Sequence, residues 1–372
     1  MPEEKKKKIV IASVLKPVND SRMFEKIGIS LALSKSYEIH IIGFPASTVS
    51  HPSIQFHSLP YFKRLSLARV LAPWRILKKI LYLQPDLLII TTHELLVAGF
   101  LTRIFTGCKL IYDIQENYYR NLLYSHGFPP IIRTLLALYV RAKETLSPMY
   151  VNYFFLAEMG YVKELTFPQK RMIILENKTI RTNVSRTPGR LDEKIIKLLF
   201  TGTLAPTTGV FTAIELATKL HHLDPRIQLT IAGYCAQPAV LRQIKKAIGQ
   251  YTHITLVGGD VLVPHERILN HIRDSHFGII AYPKNPSTEN SIPTKLYEYL
   301  GNLLPILLID HQPWQKLCEP YRAAVVFDAD RIDAHSLLHA MKNQAFYPSS
   351  PTEVFWDNEA PKLLQTVAAV LP

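Results

Sequence analysis

The sequence has few cysteines and no long apolar run, and each absence excludes a class of protein. Only three cysteines occur among 372 residues, and Cys108, Cys235 and Cys318 are far apart with no Cys-x-x-Cys spacing. This pattern argues against a disulfide framework and against a zinc site, and it is typical of buried cytoplasmic thiols. A membrane-spanning helix needs about 18 or more consecutive apolar residues. The stretch that comes closest, 129–140, is broken by Arg133, so we expect no membrane span.

The N-terminus lacks the pattern of a secretory signal. Four lysines, Lys5 to Lys8, precede an apolar stretch that soon meets Lys16 and Asp20. A signal peptide needs a longer apolar region and a small-residue cleavage site. The sequence therefore predicts a cytoplasmic protein.

Acidic residues are scarce in the first half of the chain only. The net charge is +13, and residues 1–186 hold 26 Lys and Arg against 13 Asp and Glu, whereas the remainder holds 17 of each sign. A positive field confined to one region indicates an anionic partner there, which is a membrane surface, a nucleic acid or a phosphorylated substrate. No nucleic-acid recognition motif is visible, so we expect no nucleic-acid partner.

A basic and apolar run lies between Tyr61 and Tyr82. It carries six Lys or Arg and no acidic residue, interleaved with aliphatic and aromatic side chains. Such a pattern favours a segment that lies on anionic lipid, with the apolar stretch 129–153 as a second face. The alternative is that these helices cover a sheet and leave their lysines in water.

The order of elements predicts two doubly wound α/β domains. Continuous apolar strands alternate with helices in both halves, which is typical of parallel sheets covered on both faces. A polar stretch at 178–190 has the composition of a linker. We therefore expect an N-terminal domain over 1–185, a second domain over 186–350 and a final helix over 351–372 that packs back on the first domain. Ligands of such domains bind at the carboxyl ends of the strands, here in a central cleft between them.

The loop after the first strand, 16–22, leads into a helix and offers amide groups to an anion. It contains no glycine, and the absence of Gly-x-Gly-x-x-Gly argues against a dinucleotide-binding dehydrogenase. Asn19 and Arg22 are candidate binding residues. The alternative is that Asn19, Asp20 or Ser21 only caps the helix.

A glycine-containing turn follows the first strand of the second domain. The backbone amides around Gly202, Thr203 and Gly209 are placed to cradle a diphosphate at a helix start. This signal is weak alone, because many strand-to-helix turns contain glycine.

The segment from Asn290 to Gly301 carries the most specific pattern. Lys295 and Glu298 are three residues apart after Pro293, so they share one face of a helix. A carboxylate there can accept two sugar hydroxyls, and an ammonium can neutralise phosphate. The alternative is an exposed Lys and Glu pair on a surface helix.

With these motifs the chain resembles the GT-B glycosyltransferases of family 4 over nearly its full length. Its opening, 18–26 with 37–43, resembles theirs, and so do three donor-domain segments at 200–210, 229–233 and 292–298. The resemblance implies a GT-B fold of two Rossmann-like domains, and a retaining transferase that takes a sugar from a nucleotide-diphosphate sugar and needs no metal. The acceptor we expect is a cell-envelope glycan, a polysaccharide or a lipid-linked molecule, and the basic first half predicts a peripheral location at the inner face of a membrane.

The resemblance also implies roles for residues of the donor domain. Glu298 matches the glutamate that holds the ribose, Lys295 is a candidate for the diphosphate, and Gly233 lies in a donor landmark. Asn290 stands where relatives have a glutamate that faces the donor sugar, with Glu289 one position out of register. Thr203 and Thr208 stand where relatives carry an Arg and a Lys that grip the diphosphate, so amides, Lys295 and Arg22 are left for that role.

A further departure affects the catalytic candidates. Gln115 replaces a histidine of the relatives, which leaves Glu116 as the polar group near the reacting sugar. His93 ends a strand and is a candidate on the acceptor side, although a lone histidine is more often structural. A non-transferring relative, such as an epimerase or a binding-only protein, would tolerate both Asn290 and Gln115 and stays open as the alternative function.

Overall fold

Two units, each built on one parallel sheet, make up the chain. The computed structural model describes residues 6–46, 50–62, 66–124, 128–182, 194–286, 289 and 291–372. The first unit includes Met1–Ile180 and Trp356–Pro372, and the second includes Arg181–Thr288 and Ile292–Phe355. The predicted boundary at 185–186 falls in the segment 183–193, which lies outside the described residues.

The first unit is centred on a parallel sheet. Its strands are β1 (Lys7–Pro17), β2 (Tyr37–Phe44), β3 (Ile54–Ser58), β4 (Leu87–Ile90), β5 (Lys109–Ile114), β6 (Tyr153–Leu156) and β7 (Met172–Ile174). Among the described residues these seven strands are arranged in the order β3-β2-β1-β4-β5-β6-β7, and every described pairing is parallel. The order reverses between β1 and β4, which is where ligands of such sheets bind.

Helices cover both faces of this sheet. They are a π-helical turn (Ser21–Gly28) that continues into α1 (Ile29–Leu33), then α2 (Leu67–Leu83), α3 (Leu96–Thr106), α4 (Tyr118–Leu123) and α5 (Pro130–Leu146). Buried residues of α2 and α3 pack on one face of the sheet, and those of the Ser21–Leu33 helical segment pack on the other. Because β4 is covered from both sides, all four of its side chains are fully buried. This explains its continuous apolar sequence.

The second unit repeats the same plan. Its strands are β8 (Ile196–Thr203), β9 (Ile227–Tyr234), β10 (Ile254–Gly259), β11 (Phe277–Ile280), β12 (Ile306–Ile309) and β13 (Ala324–Phe327). Its helices are α6 (Val210–Leu223), α7 (Pro238–Ile248), α8 (His265–Asp274), α9 (Thr294–Gly301), α10 (Gln312–Cys318) and α11 (Ala334–Asn343). The described strands are parallel in the order β10-β9-β8-β11-β12-β13, so this sheet reverses between β8 and β11.

The last helix, α12 (Ala360–Val370), packs in the first unit. Leu363 and Val367 are fully buried in the core on the side of the Ser21–Leu33 helical segment. The Trp356 indole donates a hydrogen bond of 2.9 Å to the Ser30 hydroxyl, which fixes the approach to the helix.

The three cysteines are buried and carry free thiols. Among the described helices, none combines the length and the apolar character that crossing a membrane requires.

Candidate functional site

The carboxyl edge of the second sheet is formed by close backbone contacts between glycines. Gly202 at the end of β8 has a φ of 97°, and it pairs with Gly233 at the end of β9. A β-carbon on Gly233 would lie 1.8 Å from the Gly202 carbonyl oxygen, and one on Gly209 would lie 1.8 Å from the Ala281 carbonyl oxygen. Only glycine fits at these two positions, and the predicted glycines therefore meet at one edge of the sheet.

Thr208 braces the turn between β8 and α6. Its hydroxyl oxygen lies 2.7 Å from the Thr203 carbonyl oxygen and 2.9 Å from that of Ala205, and it accepts the Ala205 N–H at 3.2 Å. Thr208 therefore holds the shape of the loop, while Thr203 is exposed at the sheet edge.

Lys295 places a buried ammonium group directly beneath this turn. Its side chain is 6% exposed, and its Nζ donates to the Thr201 carbonyl oxygen at 2.5 Å. The same nitrogen lies 4.5 Å from the Phe200 ring centroid and would lie 3.7 Å from a β-carbon on Gly202. Burial lowers the pKa of Lys295 to about 7, although the charge of Glu298 opposes this shift. Among the described residues, no carboxylate forms a salt bridge with this ammonium, so an arriving anion would stabilise it.

Glu298 lies one turn further along α9, with its side chain 20% exposed. One carboxylate oxygen is 2.9 Å from Nε2 of His265, the first residue of α8. This contact orients the carboxylate and leaves its other oxygen for further hydrogen bonds. The structure thus brings Lys295, Glu298 and Gly202 together, whereas Asn290 lies outside the described residues and Glu289 is exposed.

His265 was missed in the sequence. It follows a strand, β10, and a proline at the start of a helix, which places it at the same carboxyl edge as Gly202. Its position between a strand and a helix could have marked His265 as a site residue. Its contact with Glu298 could not be predicted, because the two residues are 33 positions apart in the sequence.

In the first unit, the loop after β1 is closed by a capping aspartate. The Asp20 side chain accepts hydrogen bonds from the backbone N–H groups of Arg22 and Met23, at 3.1 Å and 3.0 Å. Asn19 is exposed beside it. The alternative interpretation of this loop as a helix cap therefore applies to Asp20.

Arg22 is a buried structural cation in this geometry. Its single Nε–H is shared between the two oxygens of the Asp113 carboxylate, and Nη2 donates to the same carboxylate at 2.6 Å. Nη1 donates to the Leu175 carbonyl oxygen at 2.9 Å. Although burial alone would lower it, the Asp113 carboxylate raises the pKa of Arg22 above its usual value. Because Arg22 is only 1% exposed and each of its three guanidinium nitrogens donates within the protein, the geometry argues against its predicted part in diphosphate binding.

Gln115 joins the same network at the end of β5. Its amide nitrogen donates to Asp113 at 2.7 Å, and its amide oxygen accepts from the Lys16 ammonium. Lys16 also pairs with Asp20 at 3.3 Å. An amide fits this position because it can donate to the carboxylate and accept from the ammonium at once.

Glu116 and His93 occupy different environments. Glu116 is exposed, and its carboxylate accepts a hydrogen bond of 3.0 Å from Asn121. His93 is buried, with Nδ1 3.0 Å from the Lys143 ammonium and Nε2 3.5 Å from Glu94. Burial lowers the pKa of His93 to about 4, so the ring is neutral near pH 7. Because Lys143 can only donate, the ring proton resides on Nε2, and His93 has no free lone pair to act as a base.

Two buried oxygens next to His93 have hydrogen-bonding capacity to spare. Among the described residues, Thr92 Oγ1 has no hydrogen-bond partner, Glu94 Oε2 is approached by His93 Nε2 at the long distance of 3.5 Å, and Glu94 Oε1 is held by Arg69 at 2.6 Å. Buried polar atoms without partners are uncommon and costly. Thr92 and Glu94 lie after β4, at the carboxyl edge where the strand order of the first sheet reverses.

A cavity of about 610 Å³ lies elsewhere in the first unit. Lys7, Asp86 and Lys109 line it at the amino ends of β1, β4 and β5. This is the opposite edge from the polar residues described above, so the cavity is not a candidate for the binding site.

No known family profile matches the sequence, and no curated protein is detectably similar to it in sequence. Solved structures, by contrast, match the whole chain. Sucrose-phosphate synthase from Thermosynechococcus elongatus matches with a TM-score of 0.72 and 12% identity, over 98% of this chain and 99% of that one. The UDP-forming α,α-trehalose-phosphate synthase of Burkholderia xenovorans matches with a TM-score of 0.66 and 7% identity, over 98% and 100% of the chains. The HepE protein of Anabaena, solved with UDP and glucose, matches with a TM-score of 0.64 and 12% identity, over 98% of both chains.

These matches confirm the fold class predicted from the sequence. The two parallel sheets and the similarity over the full length show that the chain has the GT-B fold.

Proposed function

We propose that this protein is a retaining glycosyltransferase. It moves a sugar from a nucleotide-diphosphate sugar to a cell-envelope glycan, a polysaccharide or a lipid-linked acceptor, at the cytoplasmic face of a membrane. One observation carries the proposal: Lys295 and Glu298 lie on successive turns of α9 at the carboxyl edge of the second sheet, next to the glycine turn at Gly202.

The donor nucleotide is held by charge and by backbone amides. Glu298, oriented by His265, accepts the ribose hydroxyls, because a carboxylate can take two neighbouring O–H groups. The diphosphate contacts the amides of Gly202 and Thr203 and the ammonium of Lys295. Gly233 and Gly209 allow the backbone to close on this site without side-chain obstruction.

Catalysis in this proposal is mainly electrostatic. The bond between the sugar and the diphosphate breaks, and its electron pair passes to the leaving phosphate oxygen. The Lys295 ammonium and the amides stabilise the charge that develops there. The acceptor oxygen forms the new bond to the anomeric carbon from the same face of the sugar, and its proton passes to a carboxylate, for which Glu116 is the candidate. No enzyme nucleophile is needed. A bound metal is not part of the proposal, because these fixed positive groups supply the charge.

The acceptor is assigned to the first unit. Thr92 Oγ1 and Glu94 Oε2 are buried oxygens able to hydrogen-bond an acceptor hydroxyl. His93 supports them by position rather than as a base, since Lys143 occupies its Nδ1. Glu116 stays a candidate for the proton-accepting group because its carboxylate is exposed, and Asn290 stays a candidate for a hydroxyl of the donor sugar.

The structural neighbours support the choice of donor. One is described as UDP-forming, and another was solved with UDP and glucose. A UDP-sugar is therefore the first donor to test, and anionic lipid is the proposed partner of the basic unit.

A non-transferring GT-B protein, such as an epimerase or a binding-only relative, is the second candidate function. Gln115 favours it, because an amide fixed between Lys16 and Asp113 cannot take a proton from an acceptor. Incubation with a labelled UDP-sugar and membrane extracts separates the two functions. A transferase releases free sugar or produces a labelled glycan, whereas a non-transferring protein does neither.

A thermal-shift screen of nucleoside diphosphates tests the donor site. A ligand that binds only the folded state raises the unfolding temperature with its occupancy. We expect at least one nucleoside diphosphate to raise it, and the Lys295→Met variant to lose that rise. The absence of any shift with the panel of UDP, GDP and ADP would contradict the proposal.

A further inference from the structure

Exposed apolar side chains are concentrated on one unit. Among the described residues, 26 large apolar side chains are exposed, 20 in the first unit and six in the second. Fifteen of the 20 belong to just three helices, α2, α3 and α5. Scattered exposed apolar residues need no explanation, but a concentration of this kind marks an interaction surface.

Helix α2 presents apolar residues on both of its sides. Ala72, Ile76 and Ile80 face the sheet and are buried. The outward side carries Leu67, Val70, Leu71, Trp74 and Tyr82. Leu67 is 83% exposed and Tyr82 is 80% exposed, so the core of the protein does not account for the outward row.

Helices α3 and α5 repeat this arrangement. The outward residues of α3 are Val97, Phe100, Ile104 and Phe105, and those of α5 are Ile131, Ile132, Leu135, Leu138, Tyr139 and Leu146. Their spacing of three or four positions places most of them along one side of each helix.

The three helices cover the same face of the first sheet. Buried residues of α2 and α3 belong to one core cluster with Tyr112 of β5. The Glu144 carboxylate of α5 lies 3.4 Å from the Tyr112 hydroxyl, which places α5 over that face as well. We call the exposed outward side chains of α2, α3 and α5, which include the basic residues Arg75 and Lys78, the docking face.

The charge of the docking face has one sign. The three helices contain eight Lys or Arg and one acidic residue, Glu144, which is buried. Arg75 and Lys78 of α2 are exposed beside Trp74. Lys63 and Arg64 of the predicted basic run lie outside the described residues.

We propose that the docking face binds the surface of an anionic lipid bilayer. Aliphatic and aromatic side chains enter the boundary between headgroups and acyl chains, and the exposed Arg75 and Lys78 contact lipid phosphates. Trp74, Tyr82 and Tyr139 suit this position, because amphipathic rings prefer the membrane interface. A second copy of the chain suits the face less well, since a symmetric dimer would place like charges opposite each other.

Membrane binding by the docking face deepens the proposed function, and its role in sugar transfer rests on that function. A docked first unit would meet a lipid-linked acceptor directly in the membrane plane. The binding itself requires no donor, so it can be tested apart from sugar transfer.

Sedimentation with vesicles tests the proposal. The full chain is mixed with phosphatidylglycerol vesicles and with phosphatidylcholine vesicles at low salt. We expect it to sediment with the first and not with the second, and to be released as salt screens the charges. No sedimentation with phosphatidylglycerol, or equal sedimentation with both lipids, would overturn the proposal.

Paired variants place the binding on this face. The double change Arg75→Glu and Lys78→Glu should weaken vesicle binding at least about tenfold, because each basic residue near the surface contributes. Lys245→Glu with Lys246→Glu on α7, exposed in the second unit, makes the same change in net charge. If both pairs weaken binding equally, net charge alone is responsible and the assigned face is wrong.

An apolar pair completes the test. Leu71→Ser with Trp74→Ser should reduce vesicle binding, whereas Val261→Ser with Leu262→Ser, which removes exposed apolar groups of the second unit, should not. Sedimentation velocity on the same proteins checks the alternative occupant. A dimer that dissociates in the Leu71 and Trp74 variant would overturn the proposal in favour of a second copy.

The UDP-induced thermal shift of each variant separates this inference from the proposed function. A variant that loses vesicle binding but keeps its UDP-induced thermal shift is changed at the docking face alone. Intact vesicle binding without any thermal shift contradicts the donor site and leaves the docking face in place.

Discussion

The two units share a strand plan but treat a buried cation in opposite ways. Both sheets are parallel and reverse next to their first strand. In the first unit, Arg22 is paired with Asp113, and its positive charge is satisfied within the protein. In the second unit, Lys295 contacts a carbonyl oxygen and two aromatic rings, and its pKa falls to about 7. The comparison teaches that burial near a reversal point does not identify a ligand site; an unneutralised buried charge is the better indicator.

The surfaces of the two units also differ, in charge and in exposed apolar side chains. The first unit carries the exposed apolar helices and most of the excess positive charge, with 25 Lys and Arg against 16 Asp and Glu, while the second unit has 18 against 14 and exposes few large apolar groups. In the proposed function, the first unit binds the membrane and the acceptor, and the second unit binds the nucleotide.

Removing the first unit's cation should have the largest effect. Arg22→Met leaves the fully buried Asp113 carboxylate without its partner, and we expect a loss of about 3–5 kcal/mol in the free energy of unfolding. Urea denaturation measures this loss. Arg75→Met, at an exposed position, is the control and should change stability little; an equally small loss for Arg22→Met would remove the contrast between the two cations.

The corresponding change in the second unit should act on binding rather than on stability. Lys295→Met removes a charge that is costly to bury, so we expect the free energy of unfolding to stay within about 1 kcal/mol or to rise. Nucleoside diphosphate affinity should fall about 10- to 100-fold, measured by calorimetry. A large loss of stability with unchanged affinity would make Lys295 the structural equivalent of Arg22.

Lowering the pH should reduce the free energy of unfolding through the buried histidine of the first unit, His93. The pKa of His93 is lowered from its ordinary value of 6.5 to about 4 by burial. The unfolded chain therefore takes up a proton at His93 between pH 6.5 and 4 while the folded chain does not, so stability falls as pH falls through this window. At pH 5 the His93 contribution to this fall should be about 1–2 kcal/mol.

The His93→Gln variant serves as the comparison for that fall. Glutamine can still accept from Lys143 and donate toward Glu94, but it does not titrate. Urea denaturation at pH 7 and pH 5 should show a smaller difference for the variant than for the unchanged protein. An identical difference would show that His93 is not held neutral.

The smallest expected effect is a proton taken up with the ligand. At pH 8 most Lys295 side chains are neutral if the pKa is about 7, and a bound diphosphate favours the charged form. Binding of one nucleotide should therefore be accompanied by the uptake of less than one proton per protein molecule. Calorimetry detects this uptake, because the measured heat of binding then varies with the ionisation enthalpy of the buffer. Lys295→Met should abolish that part of the variation; its persistence would assign the proton to another group.

The sequence was sufficient for most of the fold because parallel strands buried on both faces are continuously apolar. The alternation of such strands with helices predicted the α/β fold class, and two parallel sheets are observed. Strand β3, at the edge of the first sheet, lacks this signal, since Gln55 and His57 interrupt its apolar pattern.

The candidate site was predictable only where its contacts are local. Lys295 and Glu298 are three residues apart on one helix, so their common location followed from spacing. The burial of Arg22 depends on Asp113, which is 91 residues away, and the orientation of Glu298 depends on His265, 33 residues away. No local pattern encodes such pairs, because they form only when separate strands end at the same edge of a sheet.

Calorimetry of UDP with two glutamate variants tests the central claim most directly. Glu298→Gln should weaken UDP binding about tenfold or more, because hydrogen bonds to a charged carboxylate contribute about 1.5–3 kcal/mol. Glu289→Gln, at an exposed position only nine residues earlier, should change the affinity little. Equal losses from the two changes, or no loss from either, would contradict the assignment of the nucleotide site to α9.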